Sequence, residues 1–353
     1  MFSLLNFEAC GLDISDRAVK YVSIIRKKRT FELSKYGEHY LPEGVVNGGI
    51  ISDKEALIKV LKQVKAEVGV DYSAVSLPEE KGYIVEVQVP AHLPVADIRE
   101  AVELHLEERV PIEASKAIFD YEKSSLAGSS PDQSVLVISA AERAIADDYH
   151  DVLSASGLNP IIFELESQAL ARAVIREGAQ DVSIIVDIGR EQSNLSITVG
   201  GIVHLASSVN VGGNAITKAI QEDLGMSWEE AKKIKEDVGL LRRGTNKNSF
   251  GSVVRVASIL RDEIWQRLNY WNGASSDAIK RTPITQVLLC GGNANIPGLA
   301  EYLTSDMGLP VALANPWTNI ISFEKQIPSM TKRESLKYCT AIGLAIRVAK
   351  NND

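Results

Sequence analysis

Cysteine and histidine are scarce in this chain, no long apolar run occurs, and positive charge is in deficit. The three cysteines, Cys10, Cys290 and Cys339, are odd in number and far apart. That excludes a disulfide framework and fits a reducing compartment, with each thiol acting as a small buried hydrophobe. The five histidines (His39, His92, His105, His150, His204) share no ligand spacing, so no zinc-type site is expected. No segment approaches the roughly 20 apolar residues that span a bilayer. The apolar start MFSLLNF is short and no cleavage site follows it, so it reads as a chain start and not as a signal peptide. Direct membrane insertion is therefore not expected. Lys and Arg number 38 against 46 Asp and Glu, a formal charge of −8, and no basic stripe is present. Binding to a phosphate backbone needs a basic field, so no nucleic-acid partner is expected. The short basic run at 26–29 (RKKR) reads as a hairpin tip.

What is present is a soluble globular composition, 45% apolar and 24% charged, in 353 residues. That length is too great for one ordinary core and implies two lobes or several subdomains. The chain also repeats its opening pattern. GLDISDRAVKYVSIIRKKRTFELSKYGEHYLP begins at Gly11, and SIIVDIGREQSNLSITVGGIVHLASSVNVGG begins at Ser183. Each has an apolar strand ending in aspartate (Asp13, Asp187) and a short polar turn. A second strand (Val19–Ile25; Leu195–Val199), a tight turn and a third strand follow. Two such copies predict two lobes of one α/β design.

The pair has the chemistry of a nucleotide clamp. Tight turns direct backbone N–H groups into a concavity that suits phosphate oxygens. A carboxylate ending each first strand suits a hydrated Mg²⁺, which takes one or two carboxylates and keeps several waters. A third motif comes after the strand Thr285–Leu289: Cys290-Gly291-Gly292-Asn293-Ala294-Asn295-Ile296-Pro297-Gly298-Leu299, then a helical pattern. Its glycines allow close approach of backbone to a flat ligand, and Pro297 suits a first helical turn. A plain strand–helix turn would read the same, so the order of the three motifs carries the argument. Elsewhere Ser227-Trp228-Glu229-Glu230 forms a capping box. Asp97–Arg109 forms an amphipathic helix with Ile98, Ala101, Val102 and His105 on one face. A long helix is expected near Val253–Trp271. The polar stretches 124–134, 242–252 and 273–283 read as loops.

A strand–D-I turn, a later D-I-G turn, then GG-x-A-x-x-P-G-L is an ordered set that resembles the actin, Hsp70 and sugar-kinase superfamily. Within it the chain resembles the PilM family of actin-like type IV pilus assembly proteins over nearly its whole length. GLDISDRAVK, the stretches from VPAHLPVADIREAVELHLEERVPIEASKAIFDY to GLNPIIFELESQALARA, LRDEIWQRLNYW, GGNANIPGLAEYLTSDMGLPVALANPW and TAIGLAIR carry the likeness. The resemblance implies an α/β, two-lobed actin-like ATPase fold with ribonuclease-H-like lobes and an inserted FtsA-like, SHS2-type α+β subdomain. On that basis 1–81 begins lobe 1, 82–157 is the insert, and 158–180 is a connecting helix of lobe 1. Lobe 2 takes 181–335, with a helical subdomain at about 214–283, and 336–353 returns to lobe 1.

The resemblance further implies ATP with Mg²⁺ in an interlobe cleft. Asp13, Ser15 and Lys20 would serve the first turn, Asp187, Gly189 and Ser193 the second, with Gly212 and Gly213 behind it. Lys235 and the motif Gly291, Gly292 and Asn293 would serve the adenosine, while Asp13 and Asp187 would hold Mg²⁺ through water. Glu166 is the candidate catalytic residue by its place on the connecting stretch, with a helix N-terminal carboxylate as the alternative role. The implied partners are the N-terminal peptide of a PilN-like bitopic membrane protein and other pilus platform proteins. Self-association, and the choice among pilus, competence and secretion machines, stay open. The protein would then be cytoplasmic and peripheral at the inner membrane.

The departures from the family pattern lie at the nucleotide. Ser15 stands where a glycine is usual, and Asp16 brings negative charge toward phosphate. Lys232 replaces the acid of A-E-x-x-K, whereas Lys235 keeps its lysine. Arg190 adds a cation that favours phosphate. The expectation is a scaffold with weak nucleotide binding or an empty cleft, at most a weak ATPase. A sugar or acyl kinase would need a further acid or base, and none is found. An FtsA-like filament protein normally ends in an amphipathic membrane helix, whereas TAIGLAIRVAKNND reads as an internal helix with a polar tail.

Overall fold

β-Branched strands punctuated by charged turns build the same sheet twice. The structure, a computed structural model, describes residues 8–27, 30–128, 130–241, 247–273, 279, 281–321 and 327–351. The start MFSLLNF, tip residues 28–29 and the expected loops at 242–246 and 274–278 lie outside the described residues. In lobe 1, β1 (Ala9–Ile14) runs antiparallel to β2 (Ala18–Lys27), which pairs with β3 (Thr30–Tyr40). A small hairpin, β4 (Val46–Asn47) and β5 (Ile50–Ile51), leads to α1 (Lys54–Val68) and β6 (Tyr72–Leu77). Asp53 caps α1 by accepting the Ala56 N–H at 2.9 Å. Leu57, Leu61, Val64 and Val68 form its buried stripe, and Gly69, at φ 73°, ends it.

After a 3₁₀ turn at Glu79–Lys81 come β7 (Gly82–Pro90), α2 (Val95–Arg109), β8 (Ala117–Ala127) and β9 (Gln133–Glu142). These strands form a separate antiparallel sheet in the order β7-β9-β8. Val102 and Leu106 of α2 are buried on it, with Ile98 and Ala101 packed alongside. This is the inserted α+β subdomain. α3 (Arg143–Ser156) follows, but its buried Ala146, Tyr149, Val152 and Leu153 join the lobe 1 core beside α1. By packing, the insert thus ends near Glu142, short of the boundary expected at 157. The expected loop at 124–134 also begins later, because β8 continues to Ala127 with a shift in register after Lys123. Two contacts hold that polar segment extended. Ser124 Oγ lies 2.9 Å from His204 Nε2, and Leu126 is buried in the lobe 2 core.

β10 (Asn159–Leu165) completes the lobe 1 sheet, and α4 (Glu166–Val174) crosses to lobe 2. Lobe 2 contains β11 (Val182–Ile188), β12 (Ser193–Val199), β13 (Ile202–Val209), α5 (Gly213–Leu224), α6 (Trp228–Asp237) and α7 (Lys247–Gly273). β14 (Ile284–Cys290), α8 (Leu299–Met307) and β15 (Val311–Leu313) finish it. Residues 247–252, expected in a loop, are instead the first turns of α7. The order β13-β12-β11-β14-β15 repeats β3-β2-β1-β6-β10 strand for strand, with the same parallel and antiparallel pairings.

α9 (Lys332–Ser335) and α10 (Cys339–Asn351) bring the chain back to lobe 1. Two glycines let α10 lie directly on its neighbours. A Cβ at Gly11 would stand 2.1 Å from the Ala341 carbonyl, and one at Gly343 would stand 1.8 Å from that of Ala169. Buried Glu164 pairs with both Arg172 and Arg347, fastening β10, α4 and α10 together. The insert is also pinned to lobe 2, where Glu86 of β7 accepts from Arg281 (2.6 Å to Nη2) and contacts His204. Among the described residues no helix is long and apolar enough to cross a membrane.

Candidate functional site

Because both lobes end their first strands in aspartate, stacking them places Asp13 and Asp187 on the floor of one cleft of about 800 Å³. Lys20, on β2 opposite Asp13, donates to Asp13 Oδ2 at 3.1 Å. Burial opposes the charge of Lys20, but the Asp13 and Asp187 carboxylates outweigh it and hold its pKa above the usual lysine value. Burial raises Asp187 to about 6, against the pull of Lys20 and helped by Asp13. Among the described residues no three His, Cys, Asp or Glu are set to ligate a metal directly. Two carboxylates beside open cleft volume do fit a magnesium ion that keeps most of its water.

The first turn satisfies itself. Ser15 lines the cleft, yet its N–H (2.9 Å) and its Oγ (3.1 Å) both donate to the Ala18 carbonyl. Asp16 turns onto the β4–β5 hairpin and accepts the N–H groups of Gly48 (2.8 Å) and Gly49 (3.1 Å). Both glycines have positive φ, so their amides make a small anion-binding nest that the protein fills with its own carboxylate.

The second turn is tied to the cleft wall instead. The Gly189 N–H donates to the Gln192 carbonyl at 2.9 Å, closing the hairpin. The Gly189 carbonyl accepts from Asn293 Nδ2 (2.7 Å) and from the Gly213 N–H (3.0 Å). Lys235, buried on α6, donates to Asn293 Oδ1 (3.0 Å) and the Gly213 carbonyl (3.2 Å). Burial and the nearby Lys232 and Arg190 lower its pKa to about 8, against the effect of Glu236. Gly291, at φ 89°, is required here, because a Cβ would stand 2.2 Å from Asp187 Oδ1.

Of the expected residues, Asp13, Ser15, Lys20, Glu166, Asp187, Gly189, Lys235, Gly291, Gly292 and Asn293 line the cleft. Ser193, Gly212 and Gly213 lie behind its wall. Ser193 Oγ is buried and donates to the Val211 carbonyl at 2.6 Å, so its hydroxyl braces β12 and does not face a ligand. Glu166 accepts from Asn194 Nδ2 at 2.9 Å. Burial, then Asp13, Glu79, Glu80 and Asp187, push its pKa well above the carboxylate range.

Several lining residues had no sequence signal. Glu80 follows the 3₁₀ turn's Glu79 and bonds Gln192 across the lobes. Glu79 itself is buried and accepts the N–H and Oγ of Ser167, each at 2.9 Å, at the start of α4. Burial raises it to about 7 despite those bonds. Lys337 meets Glu38 at 2.9 Å, and Tyr40 sets its ring centroid 5.3 Å from the guanidinium of Arg190, the member of this group that the sequence had marked. All of these come from turns and strand ends, where no periodicity marks them.

The family described as type IV pilus assembly protein PilM matches residues 11–349. A solved structure described as the PilM–PilN type IV pilus biogenesis complex is similar at a TM-score of 0.77 and 22% identity, over 98% of this chain and 99% of that one. MreB5 of Spiroplasma citri bound to AMPPNP is similar at a TM-score of 0.55 and 14% identity, over 99% and 98%. The cell division protein FtsA of Neisseria meningitidis serogroup B is 22% identical over 243 residues, 63% of this chain. That match spans 56% of the FtsA length, so the chain covers about half of that relative. These likenesses fix the fold as the two-lobed actin-like fold.

Proposed function

The chain belongs to the type IV pilus assembly protein PilM family, and from that premise we propose that it is a cytoplasmic scaffold of the pilus inner-membrane platform. It docks the N-terminal peptide of a PilN-like single-span membrane protein, which holds it peripherally at the inner membrane, and it keeps a magnesium nucleotide in the cleft without fast turnover. The observation that carries this reading is the first turn, where Ser15 spends its N–H and its hydroxyl on the Ala18 carbonyl and Asp16 fills the Gly48–Gly49 nest. Glu166, which opens α4 and lines the cleft, has its pKa pushed well up by burial and four neighbouring acids. Hydrolysis needs a group that orients water in line with the terminal phosphate, and Glu166 is already engaged by the Asn194 amide.

In this reading Asp13 and Asp187 hold the hydrated ion, which supplies the charge that neutralises phosphate oxygens. Lys20 offsets the aspartates and sits within reach of the same oxygens. Gly291 and Gly292 line the side of the cleft where a flat base would lie, and Asn293 fixes the second turn against α6. The likeness to a PilM–PilN complex supports a peptide of PilN type as the partner. Other platform proteins would then meet this chain through the same assembly. The likeness to MreB5 bound to AMPPNP supports a nucleotide.

The test pairs co-purification of this chain with a cytoplasmic peptide from a neighbouring single-span protein and calorimetric titration of Mg-ADP and Mg-ATP. Peptide capture with slow or no phosphate release is the expected result. Turnover of a small alcohol or acid without peptide capture would overturn the scaffold reading.

A further inference from the structure

The α6 wall of the cleft carries more positive charge than its own structure uses. Arg190 follows Gly189 on the second turn, Lys232 and Lys235 stand on α6, and all three line the cleft. Among the described residues, none of the three forms an ion pair. Lys235 is 4% exposed, and its two bonds go to neutral oxygens, the Gly213 carbonyl and Asn293 Oδ1. An ammonium has three donors, so one remains for a ligand. Arg190 engages the Tyr40 ring alone, and Lys232 is exposed. Glu236 also lines the wall, and Glu191 is taken up by Asn214 Nδ2 at 2.7 Å, with Arg17 3.9 Å away. Cations gathered without partners repel one another, and an anion between them relieves that cost.

Trp228 gives the wall its second character. It opens α6 after the Ser227 cap, is half-buried, and lines the same cleft. Residues three and four apart share a helix face, so Trp228, Lys232 and Lys235 form one strip. The indole offers a flat surface on which a base can stack. Lys232 follows about one helical turn along, roughly 5.4 Å, where the sugar of a stacked nucleoside would lie. A carboxylate at such a place reads free ribose hydroxyls, whereas a cation reads a phosphate on the sugar. The floor differs in sign, with Asp13, Glu80 and Asp187 set against Lys20.

We propose that the α6 wall recognises a phosphate carried on the ribose, so that the ligand class is a purine nucleotide phosphorylated at the 2′ or 3′ position as well as at the 5′ position. This rests on the nucleotide reading of the cleft and narrows it.

The experiment is calorimetric titration of the full chain with adenosine 3′,5′-bisphosphate, 5′-AMP, Mg-ADP and inorganic pyrophosphate, on the parent and on Lys232→Glu. The bisphosphate should bind about tenfold more tightly than 5′-AMP, which lacks only the 3′-phosphate. Lys232→Glu should remove that advantage, while Mg-ADP, whose ribose hydroxyls are free, should bind the variant at least as tightly as the parent. Equal affinity for bisphosphate and 5′-AMP, or no effect of Lys232→Glu, overturns the proposal while Mg-ADP binding keeps the nucleotide reading. Pyrophosphate binding as tightly as the bisphosphate also overturns it, since charge alone would then suffice. If no nucleotide binds, the nucleotide reading fails and this inference fails with it.

Discussion

In lobe 1 the turn between β1 and β2 closes on itself, whereas in lobe 2 the equivalent turn between β11 and β12 is tied to two other elements of the cleft. Ser15 spends both donors on Ala18, and Asp16 fills the glycine nest at Gly48–Gly49. Gly189, by contrast, receives bonds from Asn293 and Gly213, and Asn293 in turn orders Lys235. The two halves share strand order and pairing, so the difference lies in side chains and not in topology. A duplicated scaffold can keep its shape in both copies while the two turns are tied to different neighbours. Both turns spend the N–H after the Asp-Ile pair internally, Ser15 on Ala18 and Gly189 on Gln192, so the difference lies in their remaining contacts.

The contrast predicts a ranking of damage. Asn293→Ala should have the largest effect, because it removes a donor to Gly189 and an acceptor from buried Lys235. A loss of about 2–3 kcal/mol in urea unfolding is expected, together with loss of nucleotide affinity. Retained nucleotide affinity would show that the ties of the second turn do not shape the nucleotide site.

Glu79, where the insert and α4 meet, tests the junction between the halves. Its pKa is raised by burial from 4.5 to about 7, so the folded state holds its proton more tightly than the unfolded chain does. Its contribution to stability therefore falls as pH rises from about 4.5 to 7, and the full cost remains above that window. Glu79→Gln should stabilise the protein at pH 8 by on the order of 1–3 kcal/mol and have little effect at pH 4.5. Urea midpoints at both pH values check this. An equal change at both would assign the effect to packing.

The smallest effect is expected at Asp16. Asp16→Ala frees two amides at a partly exposed turn and should cost about 1 kcal/mol or less. Mg-ADP affinity should not change in calorimetry. A loss of affinity there comparable to that of Asn293→Ala would erase the asymmetry between the two turns.

Much of the fold was legible because local rules and global packing agree. The capping box Ser227–Glu230 announces the start of α6, and the spacing from Val253 to Trp271 announces α7. The runs around Asp13 and Asp187 announce paired strands, and the glycines after Cys290 announce the third motif. The limit of the insert was not legible, since the stripe of α3 does not say which apolar surface it will meet, and it meets α1. The serines at 124–125 signal a loop by composition, and only the contacts of Ser124 and Leu126 with lobe 2 hold them in a strand. Ser193 carries a hydroxyl of the right type at the right spacing, yet it points to Val211.

The sequence by itself determined the two lobes, the order of the three motifs and the aspartates that end the first strands, because strand period, turn chemistry and capping act over a few residues. Only the tertiary structure decided what each turn is tied to, where Asp16 finds its donors and that burial raises Glu166 and Glu79. Those outcomes depend on solvent exclusion and on charges brought together from distant parts of the chain, and no short-range pattern encodes either.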